Sequence, residues 1–367
     1  MSLSPGLNWL VLYVAIDLGV SRISATMMIA RSQQVLDTAD WRAQLRDAYR
    51  DPQQLLTELG LDDAGLVLAS QADFPFRVTR CFAARMRHGD AHDPLLRQVL
   101  PLVSENQEVA GYSADPLAET THFADGSLIQ KYHGRALLVV TGACAIHCRY
   151  CFRREFPYRS SVGAGPLAAA LATIAADRTL SEVILSGGDP LVLDDIALGA
   201  LFAKLAAIPH LERLRIHSRL PVVLPARITP RLLAALGGGR LKPVLVIHAN
   251  HPREIDAEVR DALAACRRFG VTLLNQAVLL RGVNDVATTL ASLSETLFEA
   301  GVLPYYVHVL DRVRGTAHFD AGDARAASIE RELRAMLPGY LVPRFVREVP
   351  GATGKLPLAE IGGPRSV

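Results

Sequence analysis

The sequence predicts an α/β chain: a partial (β/α)6 barrel with an N-terminal helical extension and a short C-terminal segment. Six short apolar runs rich in β-branched residues recur, at Ala136 to Thr141, Val183 to Ser186, Leu214 to His217, Val244 to His248, Thr272 to Leu280 and Tyr305 to Leu310. Each is followed by a helix-period segment, beginning near Pro166, Asp195, Pro230, Asp256, Ala287 and Asp323. Such alternation argues for a parallel sheet, and six units suit its curved or barrel form. The unusual polar residues then fall where strands end, the place where barrels carry their active sites.

Ahead of that core, residues 1–27 read as a start-site extension, because Met27 and Met28 directly precede a segment resembling the start of a domain. Trp9 to Ala30 is apolar, but Asp17 and Arg22 interrupt it and no basic residue precedes it. That excludes a signal peptide and a membrane anchor. Residues 28–130 form the helical region. Asp40 and Asp51 are capping acids and Pro52 suits a first helical turn, with short helical pieces continuing to about Glu108. This region serves as a cap or as a dimerisation surface of a homo-oligomer. The core spans 131–338 and the C-terminal segment 339–367.

With 367 residues, 50% of them hydrophobic, the chain buries a full core and suits one large domain with an appendage. Its 39 basic and 37 acidic residues form neither a nucleic-acid stripe nor an acidic tail. An odd count of five cysteines in a large chain argues against a disulfide framework and for a reducing, cytoplasmic setting.

Around the rim, Cys144, Cys148 and Cys151 follow the first strand as C-x3-C-x2-C. A four-iron cluster normally takes four thiolates, so three with no fourth nearby leave one iron open to a small chelating molecule. A zinc site using His147 is the alternative, but His147 abuts Cys148, and zinc sites usually split their ligands into separated pairs. The second strand ends in Ser186-Gly187-Gly188-Asp189-Pro190, where two glycines let backbone approach a ligand closely. Taken alone this would be an ordinary βα turn, but one strand after the cysteine motif the ligand is the favoured reading. The third and fourth strands end in His217-Ser218-Arg219 and His248-Ala249-Asn250-His251, which contact a ligand or are satisfied structural groups. Near the end, Lys355 follows a glycine-rich turn. This is no phosphate-binding Walker loop, since Val349 and Leu356 stand where that pattern needs glycine and a hydroxyl. Such a lysine can reach into a site and form a Schiff base with pyridoxal phosphate, or be an exposed tail lysine.

Together, the cysteine run with its Cys-Phe-Arg-Arg-Glu-Phe-Pro-Tyr158 continuation, Ser-Gly-Gly-Asp-Pro190, Leu-Arg-Ile-His-Ser-Arg-Leu-Pro221, Leu-Leu-Arg-Gly-Val-Asn-Asp285 and the terminal lysine resemble the lysine 2,3-aminomutase family of radical S-adenosylmethionine enzymes. Within that family the likeness is to the branch that supplies β-lysine for elongation factor P, and it runs from about Met28 to about Leu358. The resemblance implies a radical SAM barrel and migration of the α-amino group of L-lysine to its β-carbon, giving (R)-β-lysine. It implies a 4Fe-4S cluster on Cys144, Cys148 and Cys151 that splits S-adenosylmethionine with an electron from a flavodoxin or ferredoxin type of donor. It implies pyridoxal 5'-phosphate on Lys355, with Lys131 and Arg135 at the phosphate. Gly187, Gly188, Asp189, His217, Arg219 and His248 then belong to cofactor binding. Arg153 pairs with the substrate carboxylate, a task suited to its planar fork. Asp285 receives the ε-ammonium. Glu348, seven residues before Lys355, stands where lysine-specific members carry aspartate.

The implied partners are elongation factor P and its lysyl-tRNA-synthetase-like ligase, with no nucleic acid and no membrane. The alternatives are an aminomutase of free β-amino acid metabolism, acting on lysine or on another amino acid such as glutamate, and a noncatalytic iron-sulfur electron carrier. An electron carrier needs neither Lys355 nor Asp285. The chain stops soon after Lys355, without the cysteine-bearing zinc tail of the longer free-lysine enzymes, so no structural zinc is expected.

Overall fold

The computed structural model describes residues 40–69, 74–125 and 127–361, so the start-site extension expected over 1–27 lies outside the described residues. Ten strands form one sheet in sequence order: β1 (Phe123–Asp125), β2 (Leu128–Tyr132), β3 (Arg135–Thr141), β4 (Glu182–Gly187), β5 (Arg213–Ser218), β6 (Lys242–Ile247), β7 (Thr272–Leu279), β8 (Leu303–Val309), β9 (Arg344–Arg347) and β10 (Leu356–Pro357). Strands β3 to β9 pair in parallel, while β1, β2 and β10 pair antiparallel at the two margins. Among the described residues β1 and β10 do not pair with each other, so the sheet is open. The expected six strands are β3 to β8.

The two longest helices ahead of the sheet among the described residues are α1 (Trp41–Arg46) and α2 (Pro52–Glu58), and shorter turns of helix follow at Arg80–Ala83 and Pro94–Arg97; the side chains of Asp40 and Asp51 cap the first two, as expected. The crossovers carry α3 (Ala164–Ala176), α4 (Asp195–Ala206), α5 (Pro230–Gly237), α6 (Ala257–Arg268), α7 (Ala287–Glu299) and α8 (Asp323–Met336). Asp194, Thr229 and Asp256 cap α4, α5 and α6 by accepting from Ala197, Leu232 and Val259 N–H groups at 2.8, 3.0 and 2.9 Å. These caps satisfy amides that a helix start leaves unpaired. On α6, Val259, Ala262, Leu263 and Cys266 form the buried stripe that holds it to the sheet.

The region 28–130 is not helical throughout. The two-residue turn His133-Gly134, with Gly134 at φ +74°, folds β2 back onto β3, and β2 crosses the expected division at residue 130. Likewise β9 joins the C-terminal segment to the parallel sheet beside β8. No helix among the described residues is long and apolar enough to cross a membrane.

Strand alternation builds the site. In β5, Leu214 and Ile216 are buried beneath the helices, while Arg215, His217 and, at the strand's end, Ser218 line a cavity. In β8, Tyr306 and His308 do the same.

Candidate active site

A cavity of about 450 Å³ opens over the C-terminal ends of the parallel strands, and every expected site residue except Asp285 lines it. The three cysteines occupy one end, on the loop after β3. Their thiols are free of disulfides. Burial pushes the Cys144 thiol well above its ordinary range, with the neighbouring Cys151, Asp189 and Cys148 adding to the shift. Burial and Cys148 push Cys151 up to about 11. Thiolates this close need a cationic partner, and a metal cluster supplies one. Among the described residues no three Cys, His, Asp or Glu side chains converge on a single-ion site; a cluster asks for no such convergence, because each cysteine takes its own iron. His147, the fourth ligand of the zinc alternative, instead bonds the Pro75 carbonyl through Nδ1 at 2.8 Å.

The Gly-Gly-Asp turn lines the cavity and packs tightly against the cysteine loop. A Cβ on Gly187 would strike the Thr141 carbonyl oxygen, and one on Gly188 the Ala143 carbonyl oxygen. Gly188 N–H donates to Thr141 O at 2.7 Å and Asp189 N–H to Ala143 O at 2.8 Å. Asp189, expected at the cofactor, spends its carboxylate on protein: it accepts from Ser218 Oγ (2.7 Å) and from the N–H groups of Leu191 (3.1 Å), Arg219 (2.8 Å) and Leu220 (3.1 Å). Arg219 also turns inward. Its Nη1 donates to Cys148 Sγ and Tyr150 OH at 2.7 Å, and its Nη2 to Gln98 at 2.6 Å and Glu254 at 3.0 Å. The Nε2 atoms of His217 and His308 are buried at the cavity with no hydrogen-bond partner, an arrangement that suits a polar ligand.

At the other end, charges alternate along a chain. Glu119 accepts from Arg153 Nε at 2.7 Å and Nη2 at 2.9 Å, and from Lys131 at 3.3 Å. Lys131 reaches Glu348 at 2.8 Å, and Lys355 reaches the other oxygen of Glu348 at 2.6 Å. Burial pushes the Glu348 carboxyl up, but Lys355 and Lys131 outweigh it and hold the group well below its ordinary range. Arg135 lies over the Tyr132 ring, 4.8 Å from its centroid. A lysine amine, two further cations and the tilted, closely packed rings of Tyr305 and Tyr306, with centroids 3.7 Å apart, form a set of groups that suits an aromatic phosphate ester.

Asp285 is the one expected site residue that does not line the cavity. Its carboxylate accepts from Gly282 N–H at 2.9 Å, and Asn284 takes the inward position, bonding Leu280, Val278 and Asn250. A further cavity carboxylate is Asp311, just past β8, where burial and then Glu348 raise its carboxyl to about 7. The rule that strand ends carry function, applied to β8, points to Asp311; nothing local in the sequence marks Glu119.

A profile of the radical SAM superfamily matches residues 138–291. The chain is 51% identical over 323 residues to the L-lysine 2,3-aminomutase of Escherichia coli (strain K12), an alignment covering 87% of this chain and 94% of that one. It is 44% identical over 329 residues to the enzyme of that name from Haemophilus influenzae, covering 89% and 97%. Against the L-lysine 2,3-aminomutase of Clostridium subterminale it is 36% identical over 328 residues, covering 88% and 78%.

Proposed function

The chain belongs to the lysine 2,3-aminomutase family of radical SAM isomerases, and on that premise we propose that it converts L-lysine to (R)-β-lysine with pyridoxal phosphate held by Lys355. The observation that carries this reading is that Lys355 and the three cysteines line one cavity at opposite ends of the same sheet rim. When bound, the cluster with S-adenosylmethionine supplies a carbon radical and the pyridoxal ring supplies a carbonyl for the migrating amine.

The chain's own residues bind and orient. Cys144, Cys148 and Cys151 hold the cluster, with Arg219 donating to the middle thiol. Lys131 and Arg135 take the cofactor phosphate. Arg153, 6% exposed, reads the substrate carboxylate. Asp311 and Glu348 receive the ε-ammonium, since both line the cavity and both interact with Lys355, whereas Glu119 and Asp189 are engaged by Arg153 and by backbone N–H groups. The product serves elongation factor P through its lysyl-tRNA-synthetase-like ligase, in the cytoplasm, with a flavodoxin or ferredoxin type of electron donor. The motif likeness to that branch, including Glu348, supports this part.

The test is anaerobic: supply iron, sulfide, pyridoxal phosphate, S-adenosylmethionine, dithionite and lysine, and follow β-lysine by mass spectrometry. Product is expected, and it is lost in Lys355→Ala and in Cys148→Ala. No product from protein with a loaded cluster and bound pyridoxal phosphate would overturn lysine as substrate and turn the search to glutamate.

A further inference from the structure

Arg153 has five N–H groups in one plane. Glu119 takes the Nε group and one on Nη2, at 2.7 and 2.9 Å, which fills the side edge of the fork. Ser186 Oγ takes one on Nη1 at 2.9 Å, and the Gly187 carbonyl makes only a long 3.4 Å contact with that nitrogen. Of the five N–H groups one, on Nη2, is left for a further acceptor, and the longest of the other four bonds is that of Nη1 to Gly187, so an arriving carboxylate bonds Nη2 and competes for Nη1 at the end of the fork. Glu119 is itself fixed. It is 4% exposed, and its backbone N–H donates to Asp115 Oδ1 at 2.9 Å while the next residue, Thr120, bonds Asp115 Oδ2 through N–H at 3.1 Å and Oγ1 at 2.6 Å. Its second contact, Lys131 at 3.3 Å, ties the same carboxylate to the cation assigned to the phosphate.

We propose that Glu119 is a positioning residue for substrate recognition: it grips Arg153 by the side edge, leaves the end edge for the amino acid carboxylate, and couples that site to Lys131. The inference rests on the reading of Arg153 as the carboxylate-binding residue. Charge and geometry make opposite demands here, which gives the test its sign. If Glu119 acted only by its negative charge, removing it would tighten binding of an anion nearby. If it sets the plane of Arg153, Glu119→Gln places an amide donor against an arginine donor, turns the fork and weakens that binding.

The experiment is equilibrium dialysis of radiolabelled lysine and of cadaverine, which is lysine without its carboxylate, against holoenzyme kept without reductant so that no turnover occurs. Glu119→Gln is expected to weaken lysine binding by about tenfold or more, the scale of a charged hydrogen bond. Cadaverine binding should stay unchanged, so the ratio of the two falls, whereas a merely structural loss weakens both alike. Glu119→Asp, which keeps the charge and shortens the reach, should fall between, and carries the test if the glutamine variant does not fold. An unchanged ratio, or tighter lysine binding, overturns the proposal. Arg153→Gln separates the two readings: if it collapses the ratio while Glu119→Gln does not, only Glu119 is misassigned, and if it leaves the ratio untouched, the carboxylate role of Arg153 falls as well.

Discussion

Asp311 shares its cavity with Lys355 and Glu348, and in the proposed ammonium role its burial should make lysine recognition sensitive to pH near neutrality. Burial lifts its carboxyl to about 7, Glu348 adds to the lift and Lys355 opposes it. Below that value the group is neutral and offers an ammonium only a weak acceptor; above it the carboxylate is charged. For the free enzyme, kcat/KM for lysine should therefore rise as pH increases through about 7. Asp311→Asn should lower kcat/KM by about tenfold or more at high pH, the scale of one lost charged contact, and flatten the profile. Asp285→Ala separates the two candidates: a fall in kcat/KM of about tenfold or more would place Asp285 at the ammonium, and a change within about twofold would leave that site to Asp311 and Glu348. A profile unaltered by Asp311→Asn would remove it from the ammonium site. Both aspartates follow strands, so position along the chain does not choose between them. The choice is made by Asn284, which bonds the backbone of Asn250 and Val278 and turns Asp285 outward.

At the scale of elements, the cysteine loop and the turn after β4 lie so close that one depends on the other. The atoms a Cβ on Gly188 would meet are the backbone of Gly142 and Ala143, which cannot swing aside as a side chain does. Gly188→Ala should therefore destabilise the protein by about 1–3 kcal/mol, the usual cost of overpacking, and lower the iron bound per chain on reconstitution. Gly199 makes the control. It sits within α4 with Ala235 Cβ 3.9 Å from the added atom, so Gly199→Ala should stabilise by about 0.5–1 kcal/mol. Thermal melts and iron analysis check both, and equal melting shifts in the two variants would refute the clash. The sequence marks Gly187 and Gly188 as special, but whether such a pair makes room for ligand or for chain depends on what passes beside it. The six central strands and their helices are legible because apolar runs and capping residues repeat with each unit. The marginal strands are not: β9 has four residues and β10 two, too few for a period to show.

For the whole sheet, ion pairs perform a closure that backbone hydrogen bonds do not. Lys131 lies on β2 near one margin and Glu348 just past β9 near the other, yet they meet at 2.8 Å across the cavity mouth. Lys355 adds a second contact to Glu348 at 2.6 Å. The side chain of Glu348 is 14% exposed, so removing its charge leaves Lys355 partly buried without its ion-pair partner and Lys131 with Glu119 alone, a change that typically costs about 3 kcal/mol. Glu348→Gln should accordingly lower the melting temperature at neutral pH in protein free of pyridoxal phosphate. The pH dependence follows from the direction of the shift. Burial raises the Glu348 carboxyl, but Lys355 and Lys131 together depress it below its usual 4.5. A carboxyl depressed in the folded state gives stability that is complete above its unfolded value and is lost as pH falls below it. The melting gap between wild type and Glu348→Gln should therefore be widest from neutral pH down to about 4.5 and narrow steadily below that. A gap that persists undiminished into acid would mean that Glu348 joins the two margins by shape alone, and that the sheet holds its curvature without the charges at its mouth.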